Sequence, residues 1–302
     1  MKKIFKTKTE MPLSAILTAA FVCVLFGGNA TAIKISLEGF GIFASSGFRL
    51  LFAGAFLFLW GKLTGKNFKI KKINIKRITI ITLIFVVQFS CYALGVSKND
   101  ASRAALLINL QPFFVLILSH IFIADDKINL KKLLGMIIGF CGVSLLIIKK
   151  EIGIDFEPGD LLVLCAALLW AANAVYIKTF IKNFSVFNLT FYQVIFSAPI
   201  LFIESFIFDD TMISLINFRT CAAIFYQAVI CTAFGFIAWN FLLKKYKASL
   251  LHSFLFITPV SGVFFGALLL NEALTFNIIG AMCLIAVGII IAQYNPKKIT
   301  DI

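Results

Sequence analysis

RAALLINLQPFFVLILSHIFI, residues 103–123, is the stretch that decides the fold. It is an apolar run of one bilayer's depth, since about 20 residues rising about 1.5 Å each cross the hydrocarbon core. Its middle nevertheless holds Asn109, Gln111 and Pro112, three residues that lipid penalises. A second apolar run, 248–270, carries Pro259 in the same relative place, 147 residues on. Breakers in corresponding spans of two halves are expected of a carrier built from repeats, with its solute site near the membrane midplane.

Composition agrees. Of 302 residues, 61% are hydrophobic and the mean hydropathy is +0.99, against about 45–50% apolar residues in soluble domains. The net charge of +14 sits in short clusters between apolar runs, which is how cytoplasmic loops of membrane proteins look, and there is no soluble basic domain to bind nucleic acid. The seven cysteines (Cys23, Cys91, Cys141, Cys165, Cys221, Cys231, Cys283) lie in or beside apolar runs without CxxC or Cys/His spacing. They read as small buried apolar residues, so neither disulfides, metal nor cofactor is expected.

Ten apolar runs follow one another, at roughly 13–33, 42–61, 78–97, 103–123, 132–148, 160–180, 188–208, 220–243, 249–270 and 276–293. The expected fold is therefore an all-α membrane protein of ten transmembrane helices. The Lys-rich start and Ala30-Thr31-Ala32 imitate a signal peptide, but the apolar stretch is about twice a signal's usual core and is read as a retained helix. With the amino terminus inside, Lys and Arg number 21 on the inner segments and six on the outer ones, Arg49 lying within a span. That bias places both termini in the cytoplasm and the chain in the cell's inner (plasma) membrane.

The halves align with each other. FGGNATAIK (26–34) matches WAANAVYIK (170–178) at an offset of 144, Ala101-Ser102 matches Ala248-Ser249 and Pro112 matches Pro259 at 147. Asp125 pairs with Glu272 at 147 and Gly135 with Gly280 at 145. Five spans per half is an odd number, so the second half enters from the opposite side: two inverted five-helix repeats, 13–148 and 160–293.

These motifs resemble the drug/metabolite transporter superfamily, EamA type. The resemblance also rests on GFRLLFAG (47–54), ASRAALLINLQPFF (101–114), ASLLHSFLFITPV (248–260), ADDKINLKKLLGMIIGFCGV (124–143) and NEALTFNIIGAMCLIAVG (271–288). It implies a ten-helix metabolite transporter and says little about the substrate. Phe26 stands where the family often has Trp, as Trp170 does in the second half.

No enzyme motif is present: GKLTGK (61–66) is one residue short of a phosphate loop and no Ser or Thr follows it. The candidate solute contacts are polar and aromatic residues within spans: Asn29, Arg49, Gln88, Tyr92, Asn109, Gln111, Trp170, Asn173, Tyr192, Gln193 and Gln227. Any one of them is also ordinary interhelical glue, worth about 0.6 kcal/mol. Arg49 reads as a bundle-stabilising charge or as an anion site. Gly27 and Gly28, with Ala171 and Ala172 opposite, and Pro112 and Pro259 are the expected hinges. Glu204, His120 and His252 near span ends read as solvated anchors, and Gly135/Gly139 and Gly262/Gly266 as close-packing helix faces.

The resulting expectation is a secondary transporter that exports or exchanges a small amino-acid-like or amphiphilic solute by alternating access, its partners being that solute and the lipid bilayer. The alternatives are a flippase or carrier for a lipid-linked or anionic metabolite, and a membrane structural or sensory protein without flux.

Overall fold

The computed structural model describes residues 11–70, 72–98, 107–147, 158–270 and 277–293. Ala101, Ser102, Arg103 and Glu272 of the repeat motifs lie outside the described residues. The described chain is helical apart from its turns, connections and isolated bridge residues, among them the antiparallel pair Phe40 and Ile213. The helices are α1 (Leu13–Ser36), α2 (Ile42–Leu63), α3 (Lys72–Ser97), α4 (Gln111–Phe122), α5 (Leu130–Ile147), α6 (Pro158–Phe180) and α7 (Val186–Phe208). They continue with α8 (Phe218–Phe225), a π-helical segment (Tyr226–Gly235), α9 (Phe236–Lys245) and α10 (Ala248–His252). A 3-10 turn (Ser253–Phe256), α11 (Ile257–Leu270) and α12 (Asn277–Gln293) complete the chain.

Among the described residues seven helices are long and apolar enough to cross a membrane, the run Phe218–Lys245 counting as one; Gln111–Phe122 and Ile279–Gln293 are shorter apolar helices. Each is apolar on all sides. One face packs inward while residues such as Leu59, Ile203, Phe206, Leu268 and Ile290 stay exposed, as expected where hydrocarbon is the solvent.

Packing follows a pattern. The most extensive contacts join α5 to α12, α3 to α6, α2 to α7 and α1 to α11, and α6 also packs on α4. α1 meets the α8–π–α9 span as α6 meets α3. Small residues set the closest approach. A Cβ on Gly135 would fall 2.5 Å from the Gly288 carbonyl oxygen, and one on Gly139 2.6 Å from the Phe256 ring, so these glycines pack within the bundle as expected.

Helix ends are closed by specific groups. α2 stops in a Schellman turn: Lys66 N–H donates to Gly61 O (2.8 Å), Gly65 N–H to Lys62 O (3.3 Å), and Gly65 adopts φ +64°. At its start, the Asp209 carboxylate at the end of α7 accepts from Phe43 N–H (3.3 Å) and Ala44 N–H (2.8 Å). Asn217 and Thr220 form a capping box on α8. The cysteines differ from expectation. Cys23 and Cys231 are buried, but Cys141, Cys165, Cys221 and Cys283 are exposed, since apolar side chains are equally at home facing lipid.

Gly135→Val should cost about 3 kcal/mol or more through collision with backbone on α12, read as a lower thermal midpoint and loss of monodisperse protein. Gly280→Ala, with nothing within 4 Å of its added Cβ, should match wild type.

Candidate functional site

Two spans are broken near the prolines that mark them. Pro112 lies in the first turn of α4, after a turn at Asn109–Leu110, where its missing N–H goes unneeded. Pro259 is the third residue of α11, after the 3-10 turn that separates α11 from α10. Both prolines therefore start a helix rather than bend one, and such breaks leave backbone groups free for other partners. Gly27 of α1 lies directly on the second break: its Cβ would fall 2.1 Å from Ser261 Oγ and 2.6 Å from Thr258 O. Gly28 faces Tyr226, whose hydroxyl donates to Leu25 O at 3.0 Å.

Between the spans, a buried apolar plug fills the half of the bundle nearer the basic loops at 62–77 and 244–247. It joins Ala19 and Cys23 of α1, Ile78 and Ile81 of α3, Val115 of α4, Ala171 and Val175 of α6, and Leu251 of α10. Along and beyond that plug lie buried amides with no hydrogen-bond partner among the described residues: Asn29 Oδ1, both polar atoms of Gln88, Gln111 Nε2 and Asn173 Oδ1. Asn29 and Asn173 occupy the matched repeat positions, each seven residues short of its helix's carboxyl end. α6 packs against both α3 and α4, so it carries Asn173 between the helices of Gln88 and Gln111. A buried amide atom left unpaired costs about 1–3 kcal/mol. Gln88, Gln111 and Asn173 thus leave such atoms on α6 and the two helices it packs against, and Asn29 leaves another on α1.

The other expected contacts are placed differently. Arg49 is 4% exposed, donates from Nε to Thr232 Oγ1 at 2.8 Å, and lies 5.2 Å from the centroid of the Phe89 ring. It thus ties α2, the π segment and α3. Gln227 donates from Nε2 to Ala32 O (3.1 Å) and Ser36 Oγ (3.0 Å), near the end of α1. Tyr192 donates to Phe68 O at 2.6 Å and pins the loop after α2. Trp170 is exposed, Gln193 is buried, and Tyr92 and Asn109 are half-buried.

At the basic end the structure reveals a charged cluster that the sequence reading left among the loops. Asp126, fully buried, accepts from Lys132 Nζ at 2.6 Å, from Ser249 N–H at 2.9 Å and from Ser249 Oγ. Burial alone would raise its carboxyl, but the Lys132 charge and these hydrogen bonds outweigh it and hold the group below the ordinary carboxylate range. Asp126 so caps the start of α10. Lys178, also buried, donates to Leu243 O and Tyr246 O and closes the end of α9. The signal that could have found Lys178 is its place at the end of WAANAVYIK, inside a helix rather than after it. His252 corrects another expectation. It is 1% exposed, its Nδ1 lies 2.8 Å from Ala248 O and its ring is edge-on to Trp239, whereas His120 is exposed. Glu204, half-buried, accepts from Ser90 Oγ at 2.7 Å.

The model of the EamA-like transporter family matches residues 13–148 and again 157–294. The chain is 28% identical to the uncharacterized transporter YoaV of Bacillus subtilis (strain 168), over 92% of this chain and 96% of that one. It is 27% identical to a probable amino-acid metabolite efflux pump of Escherichia coli (strain K12), over 92% and 94% of the two chains. A solved crystal structure shares the fold at a TM-score of 0.81 and 16% identity, covering 96% of this chain and 100% of that one.

Asp126→Asn should destabilise the fold by about 3–5 kcal/mol, because Lys132 stays buried without its counter-charge. The folded carboxyl lies below its unfolded value, so its contribution is present above the ordinary carboxylate range and lost as pH falls through the folded pKa. Thermal midpoints measured from neutral to acid pH should show that loss in wild type and not in Asp126→Asn.

Proposed function

The chain belongs to the EamA-like transporter family, and from that premise we propose that this multi-pass membrane protein moves a small, partly polar metabolite by alternating access. The observation carrying this reading is the set of unpaired buried amides at Asn29, Gln88, Gln111 and Asn173. A solute bearing both donors and acceptors would satisfy them, in an otherwise apolar surround. An amino-acid-like solute meets that description, and export agrees with the name of the Escherichia coli relative.

Two inverted five-helix repeats, ten spans in all, account for the packing pattern, in which α2 meets α7 and α5 meets α12 while α1 and α6 play matching parts. The family model's two successive matches support the same division. In this arrangement the apolar plug is the closed gate at the basic end, which the distribution of Lys and Arg makes cytoplasmic. Gly27, Gly28 and the breaks just before the helices of Pro112 and Pro259 are the places where the spans flex as the gate exchanges sides. Arg49, engaged by Thr232 and Phe89, holds the bundle together in this reading.

Gln111→Leu and Asn173→Leu should each cut flux at least tenfold in proteoliposomes loaded with candidate amino acids, with thermal midpoints equal to wild type or higher. An apolar side chain no longer strands a polar atom, so stability and flux should part company. Unchanged flux in both variants would remove these amides from the solute path.

A further inference from the structure

We propose that Arg49 is the receptor for a carboxylate on the carried solute, which makes the cargo an organic acid or a zwitterion rather than a plain amine or amide. The inference rests on the carrier reading above and names the charged group of its solute. Arg49 lies in α2 about 10 Å from Ile42, the first residue of that helix, and so in the half of the bundle away from the basic loops and the plug. It is only 4% exposed. Among the described residues no carboxylate pairs with it. The acids at the end of α7 are engaged elsewhere: Glu204 accepts from Ser90, and Asp209 accepts from Ser205 and from the backbone at the start of α2.

A guanidinium carries five N–H groups and keeps its charge when buried. Here the Nε bond to Thr232 Oγ1 ties α2 to the π segment, while Nη1 and Nη2 have no hydrogen-bond partner among the described residues. With Nε held, those two nitrogens offer the parallel N–H groups that both oxygens of a carboxylate accept as a fork. The surroundings lead to the unpaired amides. Phe89, its ring 5.2 Å from the guanidinium, follows directly on Gln88. Ser45, one turn before Arg49 on the same face of α2, is hydrogen-bonded to Ser36 at 2.8 Å, so that face is turned toward α1, the helix of Asn29. The repeat sharpens the point. GFRLLFAG (47–54) aligns with FYQVIFSA (191–198) at the offset of 144 that joins the first helices, which sets Arg49 against Gln193. A neutral amide suffices at the matching place of the second half, so packing alone does not demand a charge there. A buried charge without its counter-charge is costly, and the carboxylate of a solute would supply it.

The test follows thermal midpoints of the full chain in a neutral detergent as the common L-amino acids and hexanoate are added, each against its own carboxamide at matched ionic strength. At least one acid should raise the midpoint saturably and bind about tenfold or more tighter than its amide. Arg49→Gln should bring that ratio to one, and Arg49→Lys, which keeps the charge but not the fork, should leave a smaller ratio. Thr232→Val, which removes the tie and spares the guanidinium, should lower the midpoint of the free protein and leave the ratio as in wild type. A purely structural arginine would change midpoints without changing the ratio. The proposal is overturned if no acid exceeds its amide in wild type, or if the ratio survives at full size in Arg49→Gln; where that variant gives no folded protein, a full-size ratio in Arg49→Lys overturns it instead. Binding is read without flux, so a lost ratio removes this site and leaves the carrier reading, whereas absent flux with the ratio intact does the reverse.

Discussion

Backbone groups in hydrocarbon have no water to turn to, and that constraint governs this structure. Inside a helix the demand is met automatically. At a helix end or break it is not, and there the chain brings in a side chain from far along the sequence. Asp209 serves the start of α2 and Asp126 the start of α10, while Lys178 serves the end of α9. Lys244 donates to Phe184 O at 2.8 Å at the end of the α6–α7 connection, and Gln227 and Tyr226 reach back to carbonyls of α1. The bonds of Asp209, Asp126, Gln227 and Tyr226 also cross from one half of the chain to the other, alongside the helix packing. They combine the roles of local terminator and tertiary tie.

Against that rule the amides at Asn29, Gln88, Gln111 and Asn173 stand out. A bundle able to recruit a partner for a helix end 123 residues away, as Asp126 does for Ser249, has left side chains in its own middle unmatched. In the function proposed above, something small and polar shares that space and offsets their cost. The two asparagines at matching positions of the sequence repeat make the point sharper, since the same deficit occurs in both halves of the chain.

Much of the scaffold was legible in the chain because bilayer thickness imposes a length on apolar runs and the repeat imposes a register. The sequence pattern drew attention to Pro112 and Pro259, and each sits at the start of a helix. The 3-10 turn at Ser253–Phe256 and the π winding at Tyr226–Gly235 left no trace in an apolar pattern that fits any helical winding. The candidate site was only partly legible. Composition flags polar residues in spans but does not say which way they point. Gln227 and Tyr192 spend their polar atoms on backbone carbonyls near span ends, whereas Gln88 does not. Lys178 and Asp126 went unnoticed because a charge beside a loop looks solvated until the third dimension buries it.

The π winding makes the two halves mechanically unequal. Shifted back by 147 residues, Tyr226–Gly235 falls on 79–88 of α3, which is wound as ordinary α-helix. The same ten residues wound α-helically would be longer and differently phased, rotating Thr232 relative to Arg49. Slack of this kind can be taken up or released without unfolding a turn. In the rocking motion proposed above, this slack would lie in the second half and add to the bend points at Gly27, Gly28, Pro112 and Pro259.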